Sequence, residues 1–363
     1  MKFLFFSRFY RGFQHIFYYL CNQMEVFYKP KEISRNHIQA RTKGEAKGRF
    51  APSPSGRMHF GNVYAALLSW LSVKKKGGLW VLRIEDLDPQ RCKLEYALQL
   101  EDDLRWLGLD WDEGGTENRG CCGPYLQSQR SEIYEEYLDR LNKRGLTYPC
   151  TCTRADIMAT QAPHESDGRI VYKGTCRPAN IPSKEAERIT SSTPAAIRLY
   201  VPDMQIDFID SHYGVQSVNL ATHCGDFVLR RKDGAWAYQL AVVVDDALMG
   251  ITEVVRGRDL LLSASQQLYL YDILSLQAPE FIHFPLLCNK AGQRLSKRDK
   301  SLDMGVLRSQ YTSEQIIGEI AYYAGQTDRP EPMTSAELLK IFDWEKVPVN
   351  DIIVDYYINY KLS

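Results

Sequence analysis

What most constrains the fold is the strict alternation of short apolar runs with helical spacings that begins at Gly48. GRFAPSP reads as a short strand entering a loop of proline, serine and glycine, and VYAALLSWLSV after it spaces its apolar residues as a helix does. LWVLRIED is apolar on both faces, as a strand must be when a parallel sheet is covered above and below. ALQLEDDLRWLG and SEIYEEYLDRLNKRG return to helix, stopped at Gly108 and Gly145, with Ser131 expected to cap the second. This order predicts an α/β layer with right-handed crossovers around a parallel sheet. From Tyr148 to Arg231 the pattern loosens into short strands, turns and a Cys-rich section, which reads as an insertion. AYQLAVVVDDALMGITEVVRG then predicts long buried strands, LLLSASQQLYLYDIL a helix, and IHFPLLCNKAGQRLSKR a strand, a turn and a loop. SEQIIGEIAYYAG and SAELLKIFDW predict two helices in the tail.

A chain of 363 residues can bury a core for two domains, or for one large domain with an insertion. Lys+Arg and Asp+Glu both number 45, so the chain lacks the overall basic character of a dedicated nucleic-acid binder. Lys74–Lys76 and Arg230–Lys232 are small basic clusters and read as solvated surface. The nine cysteines are unevenly spread and form no disulfide framework. They are expected to be reduced thiols in a cytoplasmic protein, some of them bound to metal. MKFLFFSRFYRGFQHIFYYLCN at the start is aromatic and apolar, but Arg8, Arg11 and His15 interrupt it. It falls short of the roughly 18 uncharged residues of a spanning helix, so no membrane is expected. No small-residue cleavage site follows it. Residues 1–47 are expected to be an extension outside the fold, with Met24 an alternative start.

Two segments carry phosphate chemistry. In RFAPSPSGRMHFGN, Arg49 to Asn62, a strand runs through a stiff loop into a helix that begins near Gly61. Free N–H groups at a helix N-terminus beyond a parallel strand seat phosphate, and His59 can donate to its oxygens. In GQRLSKRD, Lys297 stands on a glycine-bearing loop, where a lysine can neutralise charge on a transferring phosphoryl group. Either segment alone is weak; a surface histidine and a solvated turn are the ordinary readings.

In this order and context the two segments resemble the HIGH and KMSKS signatures of class I aminoacyl-tRNA synthetases. RFAPSPSG, RIEDLD, YQLAVVVDD, EVVRGRDLL and RLSKR follow one another as in the glutamyl-tRNA synthetase group, over Gly48 to Asp299. Two departures stand out. The first signature reads His59-Phe60-Gly61-Asn62, ending in Asn, and the second reads Arg294-Leu295-Ser296-Lys297-Arg298, keeping only the central Ser-Lys. The resemblance implies an α/β fold: a Rossmann-type parallel-sheet catalytic domain in two halves, 48–147 and 232–305. It also implies an inserted, zinc-containing, acceptor-binding subdomain at 148–231 and a short helical part at 306–363.

The same resemblance implies the site. L-glutamate is expected at Arg49, Phe50, Ala51, Pro52, Ser53, Glu85, Tyr238 and Arg256, because planar guanidinium forks pair with carboxylates and Glu85 can face the ammonium. Structural ion pairs of Arg256 with Asp245 or Asp246, and of Glu85 with Arg83, are the bland alternatives. ATP, with Mg²⁺, is expected at His59, Gly61, Asn62, Ser296 and Lys297, and His59 and Lys297 are the expected catalytic pair. A glutamate carboxylate, already ionised at neutral pH, would attack the α-phosphorus without a general base. Cys150, Cys152 and Cys176 offer three soft ligands to one structural zinc. His164 is the chemically ordinary fourth ligand, Tyr172 is the one the resemblance implies, and an empty site is the remaining alternative. About 66 residues follow Lys297, too few for a helical anticodon-binding domain. The chain therefore resembles the shortened paralogue family that activates glutamate without tRNA and transfers it to queuosine in the anticodon loop of tRNA(Asp). A truncated synthetase charging a tRNA 3′ end and a non-catalytic regulatory paralogue are the alternatives; a monomer is expected.

Overall fold

The computed structural model describes residues 46–153, 155–156, 171–179, 194–295 and 303–354. The expectations placed on the first 45 residues, on His164 and on Ser296 and Lys297 lie outside the described residues.

In chain order the first half runs β1 (Lys47–Phe50), α1 (Phe60–Lys75), β2 (Leu79–Leu82), α2 (Leu94–Trp106), β3 (Glu113–Gly114) and α3 (Ser131–Lys143). The looser middle holds β4 (Thr147–Cys150), β5 (Ala196–Leu199), β6 (Gln205–Asp210), β7 (Gly214–Asn219), the single turn α4 (Leu220–His223) and β8 (Val228–Arg230). There follow α5 (Tyr238–Leu248), β9 (Glu253–Gly257), α6 (Leu261–Ile273), β10 (Glu280–Phe284) and β11 (Leu287–Cys288). The described tail carries α7 (Met304–Gln310), α8 (Ser313–Tyr323), α9 (Ser335–Ile341) and β12 (Ile352–Ile353).

Five strands form one parallel sheet in the order β10-β9-β1-β2-β3. Its residues alternate between two buried layers, as a period of two requires. Trp80, Leu82, Val255 and Ile282 face a core shared with α1, α2 and α8. Val81, Val254 and Phe281 face a second core built on α3, α5 and α6. Both faces are covered, which is why β2 is wholly apolar, while β1, β9 and β10 carry their polar residues at strand ends and toward the crevice. The middle segment makes an antiparallel sheet, β4-β5-β8, and a separate hairpin, β6-β7.

Two expectations fail. YQLAVVVDDAL is helix α5, not strand; only EVVRG behind it enters the sheet. Seven consecutive residues of α5, Leu240 to Asp246, are buried, so its apolar character runs all round and gives no helical stripe to read. Ser131 does not cap α3: the helix starts at Ser131 itself, Arg130 precedes it without a side-chain cap, and the Ser131 hydroxyl accepts from Trp236 Nε1 at 3.2 Å. Helix α7, capped by Asp303, was not expected from the pattern. Gly108 and Gly145 do stop α2 and α3, each at φ near +70°, where a side chain would be strained.

Candidate active site

Strand order reverses between β1 and β9, and in open α/β sheets ligands bind in the crevice beyond the carboxyl ends at such a point. β1 delivers Arg49 and Phe50 there, β9 delivers Arg256, and Glu85 lies just past β2. Two backbone bonds draw the segments together: Arg83 N–H donates to Phe50 O at 3.0 Å and Glu85 N–H to Pro52 O at 2.9 Å. Arg49, Glu85 and Arg256 are all buried, Tyr238 and Ala51 are half-buried, Pro52 is buried, and Ser53 is exposed.

The charges are arranged unequally. Asp246 Oδ1 accepts from Arg83 Nη1 at 2.5 Å and from Arg49 Nε at 3.4 Å, while Arg83 Nη2 reaches Glu85 Oε1 at 3.2 Å. The Glu85–Arg83 pairing expected as the bland alternative therefore exists. Burial pushes the Glu85 carboxyl up, with Arg83 and Arg49 opposing it. For Asp246 burial acts in the same sense, but Arg83 and Arg49 outweigh it and hold the carboxyl below its usual range. Arg256 pairs with neither Asp245 nor Asp246. Its guanidinium donates to Gln267 Oε1 at 2.8 Å, His283 Nε2 at 3.0 Å, Leu260 O at 3.3 Å and Tyr238 OH at 3.5 Å. None of these partners is an anion. Burial lowers the Arg256 pKa, and the charge of Arg49 lowers it further. Asp245 is occupied elsewhere, by Arg130 Nε at 2.6 Å, Gln127 Nε2 at 2.8 Å and Tyr134 OH at 2.9 Å.

His59 is the N-cap of α1. Its Nδ1 accepts from Gly61 N–H at 3.2 Å, and Asn62 Oδ1 accepts from His59 N–H at 3.1 Å, so the two side chains close a reciprocal box. Because Nδ1 is the acceptor, the neutral ring carries its proton on Nε2. Asn62 thus serves the helix start, a use of the departure from the HIGH pattern that sequence alone did not show. Near the second signature, Leu295 is buried and donates its N–H to Leu287 O at 2.9 Å, and Arg294 pairs with Asp259.

The Cys-rich section also comes together. Cys150, Cys152 and Cys176 place their sulfurs within 4.8 Å of one another, and Cys152 and Cys176 are 3.5 Å apart. Tyr172 OH lies 3.4 Å from Cys150 Sγ and 3.8 Å from Cys152 Sγ. Ligands of a tetrahedral zinc at Zn–S distances of about 2.3 Å sit about 3.8 Å apart, so this set fits the ion. Burial opposes the Cys176 thiolate, but the hydrogen bonds from the Thr151 backbone and from Tyr172, Cys152 and Cys150 leave its pKa lowered to about 7. Tyr172 also accepts from Cys176 N–H at 2.7 Å. Gly225, at φ +62°, lets the chain pass Tyr172: a Cβ there would stand 2.5 Å from Tyr172 O. Asp226 next to it takes both Arg177 Nε and Nη2 at 2.7 Å and pins the Cys176 loop to the antiparallel sheet.

A model of the class I tRNA synthetases (E and Q), catalytic domain, matches residues 45–355. The chain belongs to this family. It is a ligase of the aminoacyl-tRNA synthetase type. A glutamyl-Q tRNA(Asp) synthetase of Symbiobacterium thermophilum is 46% identical over 305 residues, 83% of this chain and 93% of the relative. Another, from Nitratidesulfovibrio vulgaris, is 43% identical over 309 residues, 85% of this chain and 95% of the relative. The crystal structure of a glutamate tRNA ligase from Elizabethkingia meningosepticum, in complex with its amino acid, is 31% identical with a TM-score of 0.69. That match covers 84% of this chain and 66% of the ligase.

Sequence reasoning missed four residues around the arginines of this class I synthetase. Gln267, His283 and Asp210 hold Arg256 in place, and Arg130 neutralises Asp245. One signal was available. Two acids inside the apolar run VVVDD cannot be buried unpaired, so buried cations had to come from elsewhere in the chain. Among the described residues, no helix is long and apolar enough to cross a membrane.

Proposed function

We propose that this synthetase activates L-glutamate with ATP, without tRNA, and transfers the glutamyl group to queuosine in the anticodon loop of tRNA(Asp). The observation that carries the first half is that the buried Arg256 guanidinium is hydrogen-bonded to no anion: its direct partners, Gln267, His283, Leu260 and Tyr238, are all neutral. A glutamate carboxylate would supply the missing counter-ion, and Arg49, held only at 3.4 Å by Asp246, is the second guanidinium for the other carboxylate. Arg49 and Arg256 take the carboxylates, and Tyr238 and the Phe50–Ser53 backbone complete the pocket. Glu85 faces the ammonium, which offsets the burial that now disfavours its charged form.

One glutamate carboxylate oxygen then attacks the α-phosphorus of ATP, forming the acyl–phosphate bond of glutamyl-adenylate as pyrophosphate leaves. His59 Nε2–H, the α1 N-terminus with Gly61 and Asn62, and Ser296 and Lys297 stabilise the charge that builds on the phosphates, together with Mg²⁺. A hydroxyl of the queuosine ring then attacks the glutamyl carbonyl carbon, forming the ester as the acyl–phosphate C–O bond breaks, AMP leaves and the hydroxyl proton is released. Cys150, Cys152, Cys176 and Tyr172 would hold one zinc, which supplies a structural clamp on the inserted acceptor-binding segment. The acceptor assignment is supported by relatives named for tRNA(Asp) that match over 93% or more of their length. It is tested by glutamate-dependent ATP–pyrophosphate exchange without tRNA, followed by nuclease mapping of labelled glutamate on total tRNA. Label in the anticodon loop is expected. Label at the 3′ terminus would instead favour a truncated charging enzyme.

A further inference from the structure

Behind Arg256 lies a buried chain of three groups. Arg256 Nε donates to His283 Nε2 at 3.0 Å, and His283 Nδ1 meets Asp210 Oδ2 at 2.6 Å. Asp210, His283 and Arg256 are each 5% exposed or less. An N–H of arginine can only donate, so His283 Nε2 must be a lone pair and the ring proton must sit on Nδ1. The carboxylate at the other end needs that same proton. Both neighbours therefore select one tautomer of a neutral ring, and burial, which lowers the His283 pKa, keeps the ring neutral. Asp210 is the last residue of β6, in the inserted hairpin, whereas His283 and Arg256 lie on adjacent sheet strands β10 and β9.

We propose that Asp210 and His283 are positioning residues for glutamate: they fix the Arg256 guanidinium so that its remaining Nη2 N–H, beside the long contact to Tyr238, meets a substrate carboxylate. The inserted hairpin thereby sets amino-acid affinity as well as any role it has toward the acceptor. This rests on the reading that Arg256 grips glutamate.

Asp210→Asn inverts the ring contact, at the added cost that the His283 backbone N–H is left to Oδ1 alone. Asp210 Oδ1 already accepts from the backbone N–H groups of Tyr213 at 2.9 Å and His212 at 3.1 Å, and the His283 backbone N–H is shared between Oδ1 at 3.3 Å and Oδ2 at 3.2 Å. An asparagine must keep its oxygen there, because its NH₂ against two N–H donors would leave those donors unsatisfied. Its NH₂ then occupies the Oδ2 position and donates to His283 Nδ1. The ring proton moves to Nε2, where it points at the Arg256 Nε–H. Packing volume is unchanged while the contact that orients Arg256 is inverted.

The full chain is tested as Asp210→Asn, His283→Gln, His283→Phe and Arg256→Gln. Readouts are ATP–pyrophosphate exchange, melting temperature and the ¹⁵N shifts of labelled histidine. Wild type should show Nδ1–H at His283, and Asp210→Asn should show Nε2–H. Asp210→Asn and His283→Phe should raise KM for glutamate about tenfold, the size of one misdirected buried hydrogen bond, with KM for ATP unchanged. His283→Gln, which keeps one acceptor and one donor, should stay within about threefold of wild type. Where Asp210→Asn does not fold, the two His283 variants carry the same comparison. A wild-type glutamate KM in folded Asp210→Asn or His283→Phe overturns the proposal, as does an Nε2–H ring in wild type. If Arg256→Gln raises the glutamate KM and these variants do not, only the positioning role fails. If Arg256→Gln leaves it unchanged, the glutamate reading fails first and takes the proposal with it.

Discussion

Asp246 Oδ1 stands 3.4 Å from Arg49 Nε, joining residues 197 apart in the chain beside the proposed glutamate pocket. The same oxygen holds Arg83 at 2.5 Å. This carboxylate is thus at once the counter-ion of a fully buried arginine and the only described anion hydrogen-bonded to Arg49. Removing one partner of a buried pair leaves the other charged and unpaired, a loss of about 3–5 kcal/mol. Asp246→Asn should lose stability of that order in urea melts with an unchanged m-value. The glutamate KM should rise as well, because Arg49 is no longer held. A variant as stable as wild type would show that Arg83 is neutralised by Glu85 and Asp245 alone.

The acid limb of stability should divide by sign. Burial opposes the Asp246 and Asp210 carboxylates, but Arg83 and His283, respectively, with further hydrogen bonds hold both below the usual range in the folded state. Their contribution is therefore complete above the unfolded value of about 3.9 and is lost as pH falls through the lowered folded values. Glu85 is shifted the other way, upward by burial. The folded state binds its proton more readily than the unfolded chain, so stability gains from this group as pH falls from its raised value toward about 4.3. Urea midpoints between pH 3 and pH 7 should show the deficit of Asp246→Asn shrinking toward acid. Wild type should meanwhile gain on Glu85→Gln as the pH drops from neutral. Parallel curves for all three proteins would contradict this assignment of signs.

What could be read from the sequence was whatever a local pattern carries. His59 and Gly61 sit within three residues of each other, Arg49 and Ser53 within five, and Cys150 and Cys152 within three. What could not be read depends on contacts across the chain. His283 and Asp210 are 73 residues apart, and nothing in either neighbourhood announces that they meet. Arg256 was legible as a candidate, but not that its partners would be neutral. The strand reading of YQLAVVVDDAL failed because three consecutive valines favour a strand locally, while burial on every side overrode that preference. Tyr172 stood out only through resemblance; its place 3.4 Å from Cys150 Sγ is a tertiary fact.

Lys297 follows buried Leu295 by two residues in the sequence and is proposed to act on the phosphates of ATP. An ammonium acting on charge that develops only in the transition state should affect the rate more than binding. Lys297→Ala should lower the maximal rate of glutamate-dependent pyrophosphate exchange by about 10²–10³-fold, as for loss of one preorganised donor. KM for glutamate should move little. An unchanged exchange rate would remove Lys297 from the chemistry.

Substitutions in the cysteine cluster should separate activation from transfer. The cluster is carried by β4 and by the loop that Asp226 pins, whereas the proposed glutamate pocket stands at the ends of β1, β2 and β9. Losing a zinc ligand should therefore loosen the inserted segment around β4 and Cys176 and leave intact both the parallel sheet and the separate β6-β7 hairpin that carries Asp210. Cys152→Ser and Cys176→Ser should lose zinc by metal analysis and keep tRNA-independent pyrophosphate exchange within about twofold, since neither sulfur touches that pocket. Transfer to tRNA should fall by about tenfold or more, because the acceptor then meets a disordered surface. Tyr172→Phe decides the fourth ligand. Burial pushes its phenol up, so only a cation in the cluster would draw the proton away. If phenolate completes the tetrahedron, Tyr172→Phe should bind zinc more weakly in a chelator competition. Full zinc content in Tyr172→Phe with loss in both cysteine variants would hand the fourth position to another ligand. Full content in all three would end the zinc reading, and equal losses of exchange and transfer would show that the two regions are not energetically separate.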